Sequence, residues 1–366
     1  MYDVVIIGGG PAGISAGTIL QRKGYKTCII DSQVFPREKL CAGVLTVKTI
    51  DLIKKIFPKM NIDELDIKFI EKMSVHYKKR NIGDYYLENK HGVVDRKVFD
   101  ARLLNYYQRA GGKLLDGEKK YRVIYERSTI ELSDGRLVRY KCLIGADGIN
   151  SKIRLYVQHK WNAGILCFEK FIPNESDEDV INITFGEVLG GYCWRIPGKE
   201  RVGIGLGEFY LRGSHRNVNK YKRYFKSQGI TKLNDIKGAF VSYGGFVRFP
   251  LKNNVLLVGD AAGLVDAMTG EGIYFAMESG KQAAFAIIDY LENNKPLFGY
   301  VLRLNKIHNR IREQNVYNKM LFVPGLQALS VNYMAKNQKF VQRVLDKTIA
   351  EYSTRYTYEI IRSLLC

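Results

Sequence analysis

Residues 1–31 constrain the fold of this chain more than any other stretch. Residues 2–7 and 27–30 are short apolar runs that predict buried parallel strands, and Asp31 directly follows the second run. Between them, a helical pattern follows a G-x-G-x-x-G motif, which contains Gly8, Gly10, Pro11, Ala12 and Gly13. The glycines of such a motif permit a tight turn, close approach of backbone N–H groups to a pyrophosphate, and tight packing of helix on strand.

The acid at the end of the second strand completes this pattern. The N-terminus of the helix carries a partial positive charge that suits a pyrophosphate. Asp31 stands where a carboxylate accepts hydrogen bonds from ribose hydroxyls. A glycine-rich turn without a ligand would leave Asp31 unexplained. Residues 1–31 therefore predict a β–α–β unit that binds a dinucleotide.

Length and cysteine content bound the class of protein. With 366 residues the chain can bury a large core and is expected to divide into about two domains. Its six cysteines are scattered without a C-x-x-C pair, so neither a disulfide framework nor a metal site is indicated, and a reducing cytoplasm is expected. A strand pattern that begins beside Met1 leaves no room for a signal peptide, and no apolar run is long enough to cross a bilayer.

The charge is strongly basic, with 57 Lys and Arg against 37 Asp and Glu and a net charge of +20. Such a surface attracts polyanions: nucleic acid, anionic lipid or a phosphorylated substrate. A solvated basic surface without any partner is the plain alternative. No nucleic-acid-binding motif accompanies the basic residues, which are spread through the chain, so nucleic acid is not an expected partner.

The pattern of strands and helices predicts an α/β protein assembled from separated pieces. We expect a discontinuous domain from residues 1–65, 91–162 and 242–290, a β-rich domain from residues 66–90 and 163–241, and a helical C-terminal region from residues 291–366. Strands of the β-rich segments are predicted near residues 67–80, 84–88, 164–172, 180–187, 191–196 and 201–207. Helices are predicted at residues 46–57, 94–110 and, on the surface, within 210–237, and a three-stranded meander at residues 111–142.

Two later segments again place glycines and an acid at the end of a strand. One contains Asp147 within G-A-D-G, and the other contains Gly259 and Asp260 within G-D-A-A-G. In a parallel sheet these strand ends meet at the edge where ligands bind, and Asp260 suits a ribityl hydroxyl. A further run, which opens a helix, consists of Gly270, Glu271, Gly272 and Ile273. The N-terminus of this helix would favour the anionic N1–C2=O edge of a reduced flavin, so the motifs favour FAD over NAD.

These three motifs, in this order, resemble those of the FAD-dependent oxidoreductases of the para-hydroxybenzoate hydroxylase-like superfamily. Within it the chain is most similar to the geranylgeranyl reductase family. That similarity rests on F-P-R-E-K-L-C-A-G at residues 35–43, G-Y-C-W-R-I-P at residues 191–197 and T-G-E-G-I-Y at residues 269–274. The resemblance spans most of residues 1–285. It implies a Rossmann-like FAD-binding domain with an inserted β-sheet substrate domain and C-terminal helices.

The resemblance implies contacts between the loop of residues 35–43 and the cofactor. Arg37 and Arg96 would contact FAD, with Arg96 near its pyrophosphate or adenosine end, although Arg96 is also spaced to pair with Asp100. A separate group would line the reactive face of the flavin and consists of Cys41, Ala42 and Gly43. Relatives commonly have glycine where this chain has Ala42.

The resemblance also implies a substrate pocket. Tyr192, Trp194 and Pro197 would form part of the wall that faces the isoalloxazine, while Ile196 stands where relatives have phenylalanine. The candidate catalytic residues are Cys41, Tyr192 and Trp194. The alternatives are that the cysteine is a plain loop residue and that the two aromatic residues belong to the core.

The function expected from this resemblance is the reduction of C=C bonds in a geranylgeranyl or other isoprenoid substrate. A hydride from reduced flavin would reach one carbon of the bond and a proton the other. One alternative is a monooxygenase, either a hydroxylase or an epoxidase, or a halogenase of the same fold. Another is a non-catalytic flavin-binding protein at a membrane surface. Sequence patterns do not separate hydride donation from oxygen activation, because both reactions use this scaffold.

The expected partners follow from the same reasoning. The external reductant would be NAD(P)H or a ferredoxin-like protein, since a second Rossmann motif is absent from the sequence. The protein is expected in the cytoplasm. Its basic surface, which includes residues 78–80 and 212–226, suits an anionic membrane at the inner face or a diphosphate group.

Overall fold

The computed structural model describes residues 1–160, 164–208, 218–243, 245–323 and 326–350. Its strands are β1 (Tyr2–Ile7), β2 (Thr27–Ile30), β3 (Val44–Leu45), β4 (Lys68–Tyr77), β5 (Arg80–Val93), β6 (Lys113–Leu115), β7 (Tyr121–Ile124), β8 (Thr129–Leu132), β9 (Leu137–Gly145), β10 (Gly164–Pro173), β11 (Val180–Phe185), β12 (Gly191–Pro197), β13 (Arg201–Glu208), β14 (Lys237–Ser242), β15 (Leu251–Lys252) and β16 (Val255–Leu257). Its helices are α1 (Pro11–Arg22), α2 (Val47–Ile56), α3 (Arg96–Arg109), α4 (Lys152–Gln158), α5 (Val218–Ser227), α6 (Ile273–Asn293), α7 (Gly299–Arg303), α8 (Asn305–Phe322), α9 (Leu326–Lys336) and α10 (Gln338–Ala350). Within the described ranges, none of these helices has both the length and the apolar character needed to span a membrane.

The first sheet is built around β1. Its strand order is β15-β16-β9-β1-β2-β6, and the β7–β8 hairpin is attached to β9. β1 pairs in parallel with β2 and β9, and β9 pairs in parallel with β16. Val4, Val5 and Ile6 are fully buried, as expected for a central strand of a parallel sheet that is covered on both faces. The carboxyl ends of β1, β2, β9 and β16 therefore lie at one edge.

Helices α1 and α6 approach each other more closely than side chains normally allow. A Cβ atom at Gly280 of α6 would lie 2.2 Å from the carbonyl oxygen of Ala12 in α1. Small buried residues on both helices, Ala16 on α1 and Ala283 on α6 among them, permit the contact. The packing fixes the first turn of α1 against α6.

The second sheet is larger and mostly antiparallel. Its strand order is β14-β10-β13-β12-β11-β4-β5-β3, and its one parallel pair among the described strands is β11–β4. One face packs on α5, where Tyr224 and Phe225 contact Cys193 and Ile204. The other face turns towards the strand ends of the first sheet. The helices α9 and α10 pack beside β5 at one end of this sheet.

The α/β fold predicted from the sequence is confirmed, and most predicted elements lie within a few residues of the observed ones. The predicted bounds of two strands differ from the observed ones. The strand predicted at residues 84–88 is the middle of the longer β5. Arg80 begins β5 rather than ending β4, because the chain turns at Lys78, which has a φ of 54°. β14 was not predicted, since Gly238 weakens its alternating pattern.

The helix predicted within residues 210–237 corresponds to α5. Residues 210–217 of that segment, and residues 351–366 of the predicted helical C-terminal region, lie outside the described residues.

We predict that Gly280→Ala destabilises the protein by about 1–3 kcal/mol, because the added methyl group forces α6 away from the backbone of α1. Urea unfolding followed by circular dichroism measures the change. The matched control is Gly299→Ala, since no atom lies within 4 Å of a Cβ atom at that glycine. The control should stay within about 0.5 kcal/mol of the unmutated protein. Equal stabilities of the two variants would contradict the helix contact described above.

Candidate active site

The glycine-rich turn between β1 and α1 is held by close backbone contacts. Gly8 has a φ of +112°, and a Cβ atom there would lie 2.2 Å from the carbonyl oxygen of Ala146. A Cβ atom at Gly13 would lie 2.1 Å from the carbonyl oxygen of Gly8. The fold itself therefore requires these two glycines, one for the turn and the other for the packing of helix on strand.

Gly10 is different, because the protein does not need a glycine there. Its backbone is extended, and the nearest atom to a Cβ at this position is Nη2 of Arg37, at 3.8 Å. Gly10 is the N-cap of α1, and no side chain caps the helix. The space above Gly10, with free N–H groups on one side and a guanidinium group on the other, fits an anionic group such as a pyrophosphate.

Asp31 is oriented by two backbone hydrogen bonds. Its Oδ2 atom accepts one from the N–H of Gly9 at 2.7 Å, and Oδ1 accepts one from the N–H of Gln33 at 2.8 Å. The side chain is half-buried at the carboxyl end of β2. The remaining lone pairs of its oxygens can accept hydrogen bonds from a ribose, as the sequence predicted.

A buried carboxylate holds both predicted arginines. Asp100 accepts two hydrogen bonds from Arg96, each of 2.8 Å, and forms an ion pair with Nη2 of Arg37 at 3.2 Å. Burial opposes the charge of Arg96, but the Asp100 carboxylate and, more weakly, the Cys41 thiol raise its pKa above the usual value. Arg37 therefore lies at the Gly10 turn, while Arg96 is buried beside Cys41. The spacing of Arg96 and Asp100 predicted that these two residues pair, but no sequence pattern predicted the ion pair between Arg37 and Asp100.

The second predicted acid, Asp147, lies before α4 and accepts a hydrogen bond from its first residue. Its Oδ2 atom accepts a hydrogen bond from the N–H of Lys152 at 2.9 Å. Its Oδ1 atom is buried and has no hydrogen-bond partner in the part of the chain that the structure describes. Burial raises the pKa of Asp147. An unpartnered buried oxygen at this sheet edge fits a bound group that donates a hydrogen bond.

Arg154, to which the sequence patterns assigned no role, supports the third motif. Its fully buried guanidinium group donates hydrogen bonds to the carbonyl oxygens of Asp260, at 2.8 Å, and Ala261, at 2.7 Å. Burial lowers the pKa of Arg154 to about 10, so the group stays charged at neutral pH. The hydrogen bonds fix the short 3₁₀ turn that begins with Gly259, whose N–H donates to Oγ of Ser279 at 2.9 Å.

The carboxylate of Asp260 points towards the start of α6. Its Oδ1 atom lies 3.8 Å from the position of a Cβ atom on Gly272. No residue in the described ranges donates a hydrogen bond to it, and burial raises its pKa, although Lys39, Arg96 and Arg154 lower it in part. The site thus presents a carboxylate that can accept hydrogen bonds from a ligand hydroxyl, which fits the predicted ribityl contact.

The loop before α6 is shaped by its neighbours. Gly270 has a φ of 72°, and the Tyr192 hydroxyl donates a hydrogen bond to the carbonyl oxygen of Thr269 at 2.7 Å. The side chain of Glu271 is bound elsewhere, by Lys48 at 2.6 Å and Thr46 at 2.6 Å. Only the backbone of Glu271 is therefore available to a flavin.

Helix α6 itself starts without a side-chain cap, with Gly272 at its N-cap position and Ile273 as its first residue. Its first N–H groups remain available to the anionic edge of a ligand.

The loop of residues 41–43 lies between the two sheets. A Cβ atom at Gly43 would lie 2.0 Å from the carbonyl oxygen of Val94, so the glycine is required by the fold. The Sγ atom of Cys41 accepts a hydrogen bond from the N–H of Gly43 at 3.4 Å. Ala42 packs in an apolar cluster with Ile196 and Trp194 of the second sheet. The predicted flavin-facing loop and the predicted pocket wall therefore pack on the same apolar cluster.

The second sheet presents an apolar and aromatic face to these loops. Tyr192 and Trp194 are half-buried on this face, with their ring centroids 5.9 Å apart. The indole of Trp194 lies over β13, where a Cβ atom at Gly205 would be 2.4 Å from it, and its Nε1 donates a hydrogen bond to Oε1 of Glu169 at 2.9 Å. Pro197 is buried at the end of β12. Sequence patterns gave no role to Glu169, which a period-two pattern places on this face.

The donors and acceptors at this edge fit FAD. Contacts among the described residues do not explain the space above Gly10 or the carboxyl oxygens of Asp147 and Asp260 that have no partner there. Among the described residues, no group of three or more His, Cys, Asp or Glu side chains is arranged to hold a metal ion.

Comparison with known proteins supports this reading. The family described as FAD binding domain matches residues 1–74. The chain is 30% identical over 307 residues to the digeranylgeranylglycerophospholipid reductase of Methanocaldococcus jannaschii, covering 76% of this chain and 75% of that protein. The chain belongs to the geranylgeranyl reductase family. It is an FAD-dependent oxidoreductase, as the three motifs predicted.

Two further similarities extend over most of the chain. Geranylgeranyl diphosphate reductase from Arabidopsis thaliana chloroplasts is 27% identical over 327 residues, which cover 80% of this chain and 67% of that protein. The crystal structure of a geranylgeranyl bacteriochlorophyll reductase-like protein from Thermoplasma acidophilum has the same fold, with a TM-score of 0.77 at 22% identity, covering 98% of this chain and 95% of that one.

We predict that Gly10→Ala weakens FAD binding at least about tenfold, or roughly 1.4 kcal/mol, because the methyl group occupies the space above the turn. The stability of the FAD-free protein should change by less than about 0.5 kcal/mol, since the chain leaves room for a Cβ atom. Fluorescence titration with FAD and thermal unfolding measure the two quantities. Unchanged FAD affinity would show that the cofactor does not approach Gly10.

We predict opposite effects of Asp260→Asn on cofactor binding and on stability. FAD binding should weaken because a charged acceptor is lost. The FAD-free variant should unfold at a higher temperature than the FAD-free unmutated protein at neutral pH, since the raised pKa of Asp260 means that ionisation destabilises the folded state above about pH 4. The gain should disappear below about pH 3, where both states hold a protonated acid. A variant that is purified with its full complement of FAD would contradict the assignment.

Proposed function

We propose that this protein reduces C=C bonds of a geranylgeranyl or related isoprenoid substrate, with the hydride taken from reduced FAD. One observation carries the proposal: an apolar, aromatic face of the second sheet lies against the loops predicted to hold the flavin. The relatives from Methanocaldococcus jannaschii and Arabidopsis thaliana are named as a digeranylgeranylglycerophospholipid reductase and a geranylgeranyl diphosphate reductase, and these names agree with a substrate of this class.

The apolar face suits a long hydrocarbon. Ile181 and Ile196 are buried on it, and Met73 and Ile183 pack beside them. Side chains of this kind bind an isoprenoid chain through burial of apolar surface, at roughly 25 cal/mol per Å². They also exclude water from the reacting carbons.

A candidate entrance for the substrate lies at the surface beside β5. A cavity of about 600 Å³ opens between β5 and α10, lined by Tyr85, Gln338 and Arg343 among others. Beneath it, Val75, Ile82 and Phe185 form an apolar cluster that adjoins Tyr192. Tyr85 of this cluster lines the cavity, and Tyr192, which packs against the cluster, donates the hydrogen bond to Thr269.

Basic side chains lie at this entrance and elsewhere on β4 and β5. Lys339 and Arg343 of α10 line the cavity together with Asp84, and Lys78, Lys79 and Arg80 are exposed at the turn between β4 and β5. These side chains would hold a diphosphate or phospholipid headgroup, or bring the protein to an anionic membrane surface.

Each part of the site contributes separately to the reaction. Bound FAD, once reduced by NAD(P)H or a ferredoxin-like donor, supplies the hydride. The N-terminus of α6 would stabilise negative charge on the flavin edge beside it. Trp194 and Tyr192 would orient the double bond, and Cys41 would lie at the reacting face.

We expect the anaerobically reduced protein to be reoxidised by a geranylgeranyl lipid or by geranylgeranyl diphosphate. Stopped-flow absorbance of the flavin follows the reaction, and mass spectrometry should find a product heavier by two hydrogens per reduced bond. Flavin that stays reduced until oxygen is admitted would contradict the proposal and indicate a monooxygenase or halogenase. Flavin that no donor reduces would indicate a non-catalytic protein.

We expect Trp194→Ala to retain FAD while slowing this reoxidation roughly 10- to 100-fold, since the double bond loses a positioning contact. Flavin absorbance after gel filtration checks retention. The control is Phe240→Ala on the exposed edge strand β14, which should react as the unmutated protein does. Loss of flavin from Trp194→Ala alone would make the tryptophan part of the core that supports the cofactor.

A further inference from the structure

Glu169 is a buried acid that the functions described so far leave unexplained. It is 2% exposed, on β10 of the second sheet. Among the described residues, the indole Nε1 of Trp194 donates a hydrogen bond to it at 2.9 Å. Burying a carboxylate is costly unless it is paired. A glutamine at this position would accept the same hydrogen bond without carrying a charge, so the presence of an acid points to a role beyond packing.

The register of the sheet places Glu169 in line with Trp194. Glu169 lies opposite Gly205 of β13, and Gly205 lies opposite Trp194 of β12. A Cβ atom at Gly205 would be 2.4 Å from the indole, and one at Gly203 would be 3.1 Å from Oε1 of Glu169. The two glycines thus leave β13 bare, and the indole and the carboxyl group meet above it.

This pair lies on the face that adjoins the predicted flavin loop. The neighbouring residue Phe168 packs on α5, on the opposite face. Trp194, by contrast, packs in one cluster with Ala42. Arg201, on the strand between the two partners, binds Asp95 at 2.7 Å. The acid is therefore close to the contact between the second sheet and the loops predicted to hold the flavin.

The groups around Glu169 do not neutralise it. Burial raises its pKa to about 7, while the Trp194 hydrogen bond and the charge of Arg201 lower it in part. The guanidinium group of Arg201 is occupied by Asp95 and lies over the Phe171 ring at 4.0 Å. Burial raises the pKa of the Cys167 thiol on the same strand to about 12, so it stays neutral. Among the described residues, Lys237 of β14 also lies opposite Glu169 in register, and it is exposed.

We propose that Glu169 supplies the proton of the reduction, and that Trp194 positions its carboxyl group for this transfer; the inference rests on the proposed function. The double bond accepts a hydride from two-electron-reduced flavin at one carbon. The O–H bond of Glu169 breaks as a C–H bond forms at the other carbon. The alkene is reduced by two electrons and the flavin oxidised by two, and the Glu169 carboxylate regains a proton from water.

The first test measures the protonation of Glu169 directly, without catalytic turnover. The chain has two tryptophans, Trp161 and Trp194. In a Trp161→Phe background, the fluorescence of Trp194 should titrate with a midpoint near pH 7, because the indole donates to the carboxyl group. Adding Glu169→Gln should abolish this transition. A fluorescence signal that stays constant between about pH 5 and pH 9, while the protein remains folded, would overturn the proposal.

The second test measures single-turnover reoxidation of pre-reduced protein by a geranylgeranyl lipid. In the unmutated protein the rate should fall about tenfold per pH unit above the pKa of the acid. Glu169→Gln should bind and release FAD normally, yet react roughly 100-fold or more slowly near pH 6. The control is Glu178→Gln, which removes an acid that pairs with Arg195 at the end of the same sheet and should keep the rate and the pH profile.

A second variant, which retains Glu169, keeps the proposal testable if Glu169→Gln does not fold. Trp194→Phe removes the hydrogen bond that lowers the pKa of Glu169, so the midpoint of its pH profile should move upwards. An unmoved midpoint, or a Glu169→Gln variant with the normal rate and profile, would overturn the role of Glu169 and leave the proposed function intact. Failure of the unmutated protein to react with any prenyl substrate would overturn both.

Discussion

The site depends on close backbone contact between α1, the end of β9 and α6. Gly8, Gly13 and Gly280 each occupy a position where a Cβ atom would lie within about 2 Å of a carbonyl oxygen. Because these backbones are in van der Waals contact and cannot move closer, the first turn of α1 and the Asp260 turn keep fixed positions relative to each other. A dinucleotide can then be held by N–H groups and carboxylates that do not have to reorganise when it binds.

Local motifs made the cofactor-binding half predictable. Gly8, Gly10 and Asp31 follow their strands directly, so spacing alone places them at one edge of a parallel sheet. Contacts that join distant segments were not predictable in the same way. The pairing of Arg37 with Asp100, and of Glu169 with Trp194, depends on sheet register and on loop paths that no short pattern specifies.

Three acids of the candidate site have no ion-pair partner among the described residues. Surface carboxylates such as Asp289 and Glu178 are paired with lysine or arginine, and the pKa of each is lowered by that pairing. Asp147, Asp260 and Glu169 have raised pKa values because they are buried without such partners. Such groups are common where a ligand or a reaction uses them. Asp147 and Asp260 lie at the carboxyl edge of the first sheet, and Glu169 lies on the face of the second sheet that carries Trp194.

The pairing of β11 with β4 joins distant parts of the chain, and the order of the strands along the sequence therefore affects folding during synthesis. The second sheet combines residues 44–45 and 68–93 with residues 164–242, whereas the first sheet is not complete until residues 255–257. Each sheet is therefore interrupted by segments of the other, and neither can close as an independent unit during synthesis. The Asp260 turn and α6, at residues 259–293, are synthesised after the strands of both sheets, so the predicted flavin site becomes complete only late in translation.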